Sequence, residues 1–148
     1  MKRKNLLVVI FILFFCNVIF GKNNYETGLE YISIKDYENA KIYLQKAYDE
    51  ENSLWAAYYL GLIYDDIYND FNLSEKYFKI AADLEIGSIY NNIGGFYIKY
   101  KKTDLAEKYF LLSTETGDFL APRFLGLIYE EQNKLNLAEK YYKIPADR

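Results

Sequence analysis

Tyr59-Leu60-Gly61-Leu62-Ile63-Tyr64 returns as Asn92-Ile93-Gly94-Gly95-Phe96-Tyr97 and again as Phe124-Leu125-Gly126-Leu127-Ile128-Tyr129, its glycine stepping by 33 and then 32 residues. A second string, Ser74-Glu75-Lys76-Tyr77-Phe78, returns as Ala106-Glu107-Lys108-Tyr109-Phe110 and Ala138-Glu139-Lys140-Tyr141-Tyr142, 32 residues apart each time. Two strings recurring in one fixed order mark an array of similar units. A fainter first copy sets Gly28-Leu29-Glu30-Tyr31 ahead of Ala40-Lys41-Ile42-Tyr43-Leu44, with its glycine 33 residues before Gly61. The array therefore counts four units. Inside a copy, apolar residues fall at helical spacing, as in Ala57, Leu60, Gly61 and Tyr64 and then Tyr77, Phe78, Ala81 and Ala82, so each unit is predicted to be a pair of helices.

Short polar residues fall between the two halves of each unit, at Asp36, Asn69-Asp70 with Asn72, Lys102-Thr103-Asp104, and Asn133 with Asn136. Such side chains accept hydrogen bonds from the free amides that open a helix. Gly87-Ser88 and Gly117-Asp118 separate successive units. There a glycine can close one helix in the left-handed conformation and Ser or Asp can cap the next. With two prolines and eight glycines in 148 residues, the chain lacks the frequent turns of a small all-β fold. The expected class is all-α, over one domain.

Charge and residue usage narrow the chemistry. After position 21 there are fifteen basic and twenty-one acidic residues, a net charge of −6, and no basic stripe is available to release counterions from a phosphate backbone. No nucleic-acid partner is expected, despite seventeen tyrosines. The chain has no histidine, and its only cysteine, Cys16, lies in the apolar N-terminal run. This removes the usual zinc sites, Cys–His and Ser–His nucleophiles and an intramolecular disulfide. No metal, cofactor or catalytic residue is expected. Asp65-Asp66 and Glu130-Glu131 lack the glycine-turned spacing of a calcium loop, and Glu75, Glu107 and Glu139 recur with the architecture, which reads as solvated helix surface. Tyr77, Tyr109 and Tyr141 are read as packing between units.

Residues 1–21 form a leader. Lys2-Arg3-Lys4 precede an apolar run from Leu6 to Phe20, interrupted by Cys16 and Asn17 and closed by Gly21. These are the three zones of a signal peptide, with cleavage expected after Gly21. Competing readings are an uncleaved membrane anchor, for which the run is at the short limit, and lipid attachment at Cys16, for which Phe15 is the wrong residue. All three place residues 22–148 outside the cytoplasm, in the periplasm, cell envelope or medium.

The repeats resemble the tetratricopeptide family and the related Sel-one-like repeat over nearly all of residues 24–146. Gly94, Tyr97, Ala106, Phe110 and Ser113 stand at tetratricopeptide separations, and Gly28, Tyr31, Ala40, Leu44 and Ala47 repeat them. The segment Ser113-Thr114-Glu115-Thr116-Gly117, followed by Ala121 and Leu125-Gly126, looks more like the Sel-one-like link. The resemblance implies an α-solenoid of about four antiparallel helix pairs with a right-handed superhelical curve. It also implies a protein or peptide partner bound along the first helices of the pairs. That face would carry Trp55, Tyr58, Leu62 and Asp65, then Ser88, Asn91, Gly95 and Ile98, then Leu120, Arg123, Leu127 and Glu130. Trp55, Tyr58, Asn91, Arg123, Leu62 and Leu127 are the expected partner-binding residues, because interface energy concentrates in aromatic, arginine and buried apolar anchors.

A self-associating structural subunit, joined through the C-terminal end, is the alternative. Pro145 occupies an expected alanine position, and no further polar helix follows, so an open or truncated array is expected there. An envelope hydrolase or β-lactam-binding protein is a third reading, implied by exported cysteine-rich Sel-one-like relatives. Their disulfide-paired repeats have no counterpart here.

Overall fold

A computed structural model describes residues 22–144. These form α1 (Asn24–Ser33), α2 (Tyr37–Glu51), α3 (Leu54–Asp66), α4 (Phe71–Ala81), α5 (Gly87–Lys99), α6 (Thr103–Glu115), α7 (Ala121–Glu131) and α8 (Leu135–Tyr142), with a 3-10 turn at Ala82–Leu84. No strand occurs among the described residues. The dominant packing is within α1/α2, α3/α4, α5/α6 and α7/α8, and each pair also meets the next. The four helix pairs of a tetratricopeptide-like α-solenoid are thus present. The leader and Pro145 lie outside the described residues. None of the described helices is long and apolar enough to cross a membrane.

One backbone device makes all four turns inside the pairs. Lys35, Asn69, Lys101 and Asn133 take the left-handed conformation, with φ of 61°, 51°, 57° and 57°. The following amide, of Asp36, Asp70, Lys102 or Lys134, donates to the carbonyl of Tyr31, Tyr64, Tyr97 or Tyr129 at 2.8–2.9 Å. Each bond satisfies a carbonyl that the helix end would otherwise strand. The expected caps hold only in the first two pairs, where Asp36 accepts from the Asn39 amide and Asp70 from the Leu73 amide. The residues before α6 and α8 are Lys102 and Lys134, and neither caps through its side chain. Thr103 begins α6 instead, and Asn133 serves as the left-handed residue.

Between pairs, Gly117 is left-handed as expected, with φ of 88°. Gly87 is not; Glu85 takes that conformation, with φ of 52°. Gly87 is needed for space. A Cβ there would lie 2.9 Å from Thr116 Oγ1 and 3.0 Å from Asp118 Cβ, and its carbonyl accepts from the buried Ser113 hydroxyl at 2.7 Å. Asp118 Oδ1 then accepts from the Leu120 and Ala121 amides, and Pro122 occupies the first turn of α7, where a missing amide costs nothing.

Each pair closes on its motif glycine. Gly28 faces Leu44, Gly61 faces Phe78, Gly94 faces Phe110 and Gly126 faces Tyr142. The second-helix side chain lies where a Cβ would stand, so the two backbones approach closely and that side chain fills the space. Beside this seam runs a series of tyrosine stacks within the pairs: Tyr31 with Tyr43, Tyr64 with Tyr77, Tyr97 with Tyr109 and Tyr129 with Tyr141, at centroid separations of 5.4, 5.6, 5.5 and 5.4 Å. The Tyr of the Glu-Lys-Tyr string therefore packs first inside its own pair, although Tyr77 also reaches back to Tyr48 of α2.

The rest of that string is also structural. Glu75 accepts from the Tyr97 hydroxyl at 3.2 Å, and Glu107 from the Tyr129 hydroxyl at 2.6 Å. Both carboxylates are half-buried, which corrects their reading as solvated surface. Each clasps one pair to the next. Lys76, Lys108 and Lys140 lie 4.9–5.6 Å from the ring centroids of Tyr77, Tyr109 and Tyr141, within cation–π range.

Candidate binding face

Side chains at fixed places around each motif glycine of the first helices α1, α3, α5 and α7 divide between packing and exposure. Three residues before the glycine of α3, Tyr58 is 8% exposed. Its hydroxyl accepts from Asn92 Nδ2 of α5 at 2.6 Å, and burial raises its pKa. Four residues after the glycine, Asp65 is 7% exposed and takes Lys99 Nζ at 2.7 Å and the Tyr100 hydroxyl at 2.9 Å. Tyr58 and Asp65 thus lock α3 to α5. The sequence places both on a binding face, whereas the structure spends them on the contact between pairs.

The remaining expected residues are more open. Trp55 is 39% exposed and stands edge-on to Tyr58, with ring centroids 6.2 Å apart. Leu62 is half-buried, while Ile98 and Leu127 are exposed. Above Gly95, an added Cβ would meet nothing within 4 Å, which leaves open space over the middle of α5. Asn91 is half-buried with its Oδ1 buried and without a hydrogen-bond partner among the described residues. Its register partner, by analogy with Asn92 against Tyr58, is Phe124, which has nothing to donate.

Arg123 is exposed but faces a different region. Together with Phe119, Leu120, Pro122, Tyr141, Tyr142 and Ile144 it lines a hollow of about 490 Å³ at the C-terminal end of the described array. The expected residues therefore divide into two regions. Trp55, Leu62, Gly95, Ile98 and Leu127 follow the first-helix face, and Arg123 with Leu120 joins the terminal hollow. The exposed Phe124, stacked on Phe110 at 5.0 Å, is not among the residues that the sequence pattern singles out. Its place two residues before Gly126, equivalent to Tyr59 and Asn92, is the signal that could have found it.

Tyr97 and Tyr129 are pushed well above the usual tyrosine range, first by burial and then by Glu75 and Glu107 respectively, and neither hydroxyl is activated as an acid or nucleophile. Among the described residues no group of three or more Asp, Glu, Cys or His side chains could hold a metal.

No curated protein matches the chain. Residues 22–53, which span α1, α2 and the link to α3, match the tetratricopeptide repeat family. The chain thus carries a tetratricopeptide-type repeat, a fold that is typically a non-catalytic scaffold for protein partners.

Proposed function

We propose that the protein is an exported scaffold that binds a protein or peptide segment along the first-helix face of α3, α5 and α7. The open space over Gly95, together with the exposed apolar side chains of Ile98 on the same helix and Leu127 at the same register of α7, carries this reading. An apolar segment laid there gains burial on both flanks, while Trp55 supplies a large anchor at the edge. Export rests on the leader, with residues 1–21 acting as the signal and cleavage at Gly21 preferred over an anchor or lipid at Cys16. On this reading the link from Ser113 to Gly117, followed by Ala121 and Leu125-Gly126, is of the Sel-one-like kind.

Leu127→Asp and Gly95→Glu are expected to weaken capture of a partner from envelope extracts by about tenfold or more, the scale of losing one interface anchor. Helical content should stay unchanged, and Ile42→Asp on α2 should have no effect on capture. Capture insensitive to both groove variants would end the groove reading. Mass measurement of the exported protein tests the leader, and a polypeptide beginning at Lys22 is the expected result.

A second reading, self-association through the terminal hollow, is favoured by one comparison. Phe78 and Phe110 are each 1% exposed, while Tyr142 at the same register is 44% exposed. Under that reading Tyr142→Asp converts a dimer to a monomer in light scattering, while the groove variants are silent.

A further inference from the structure

Between α1 and α3, at the end of the first-helix face nearest the turns, lies a second hollow of about 210 Å³. Ile32, Tyr37, Tyr59, Leu62 and Ile67 give it apolar and aromatic walls, and Asp66 is its only charged lining residue. Asp66 is exposed, and no described cation lies within ion-pair distance of it. Lys99, which shares its register, pairs with the neighbouring Asp65 and reaches Asp66 only through longer-range attraction.

Asp66 is the last residue of α3, whose final turn has no basic residue, so the negative end of the helix dipole adds to the negative charge. Both features attract a cation. Aromatic and aliphatic walls suit the methylene stem of a long basic side chain, and ring faces add cation–π attraction to its head. Leu62 also belongs to the proposed groove, so a peptide lying along the face could place a side chain here.

We propose that this hollow anchors one basic side chain, of the lysine or arginine type, from the peptide that occupies the groove. The stem lies against Ile32, Tyr59, Leu62 and Ile67, and the cationic head meets Asp66. The partner segment is then apolar with a basic residue at one end. This assignment rests on the groove reading, and its test is independent of any partner.

The full chain, carrying isotope-labelled isoleucine and leucine methyl groups, is titrated with n-butylguanidinium and with the uncharged n-butylurea. The guanidinium is expected to shift the Ile32, Leu62 and Ile67 methyls saturably, at a concentration about fivefold or more below that at which the urea does. Asp66→Asn should abolish the difference between the two probes. That variant should melt at the same temperature or slightly higher, because it removes a carboxylate from a helix C-terminus. Equal responses to the two probes, no response to the guanidinium, or a charge preference that survives Asp66→Asn would each overturn the pocket. If capture still depends on Gly95 and Leu127 after such a result, only the pocket is withdrawn; if the probes behave as expected while capture ignores those residues, the groove is withdrawn.

Discussion

Raised above pH 10, the protein is expected to unfold cooperatively over about two pH units, with tyrosinate absorbance appearing together with the loss of helix. Tyr58, Tyr77, Tyr97, Tyr109 and Tyr129 are all buried, and burial is the first cause raising the pKa of each. In the unfolded chain they ionise near the ordinary tyrosine value of about 10. A raised pKa in the folded state means that the stabilisation is complete below that value and is lost as pH climbs towards the folded one. Each tyrosine kept neutral by the fold steepens the loss by about 1.4 kcal/mol per pH unit. Five acting together approach about 7 kcal/mol per pH unit, against a total stability of about 5–15 kcal/mol for a typical domain. Denaturant midpoints measured across this range should fall accordingly, and Tyr97→Phe should reduce the slope by about one proton. Independent, non-cooperative titration of the tyrosines with the helix intact would refute the stacked and clasped arrangement.

The period and the helix pairs were legible in the sequence because each depends on a short local pattern repeated four times. Gly61 and Phe78 lie one repeat from Gly94 and one from Phe110, so a single rule fixes all the contacts. Contacts that cross from pair to pair were less legible. Glu75 reads as an exposed helix residue until Tyr97, on the next first helix, is known to reach it. Tyr58 and Asp65 read as groove residues because they share a helical face with Leu62, yet Asn92, Lys99 and Tyr100 of the following pair consume them. On α7 the equivalent Arg123 and Glu130 remain exposed. One register thus serves packing or exposure according to what lies beside it, and a pattern internal to the repeat carries no information on that neighbour. The left-handed residues were hidden for another reason: lysine, glutamate and asparagine occupy them alongside a single glycine, so composition gives little signal.

Gly94→Ala and Gly95→Ala, the same added methyl at adjacent positions of α5, are expected to change stability in opposite directions. At Gly94 the new Cβ would stand 2.6 Å from Phe110 Cε1 and 2.8 Å from Cδ1. Phe110 is 1% exposed and stacked on Phe124, so the ring has no free space to enter. Overpacking of this kind costs about 1–3 kcal/mol, and Gly94→Leu should fall at the upper end or beyond. At Gly95 the new Cβ would meet nothing within 4 Å. There the substitution acts on the backbone alone, and exchanging Gly for Ala inside a helix stabilises by about 0.5–1 kcal/mol. Chemical denaturation with a common slope should therefore separate the two variants by about 1.5–4 kcal/mol. A double variant locates the cause. Phe110→Ala removes the ring over Gly94 and should destabilise the parent, yet Gly94→Ala should cost much less in that background, because the two residues are in contact and their effects are non-additive. Additive effects in that cycle, or destabilisation at Gly95 equal to that at Gly94, would show that the helices of this pair do not close on Gly94.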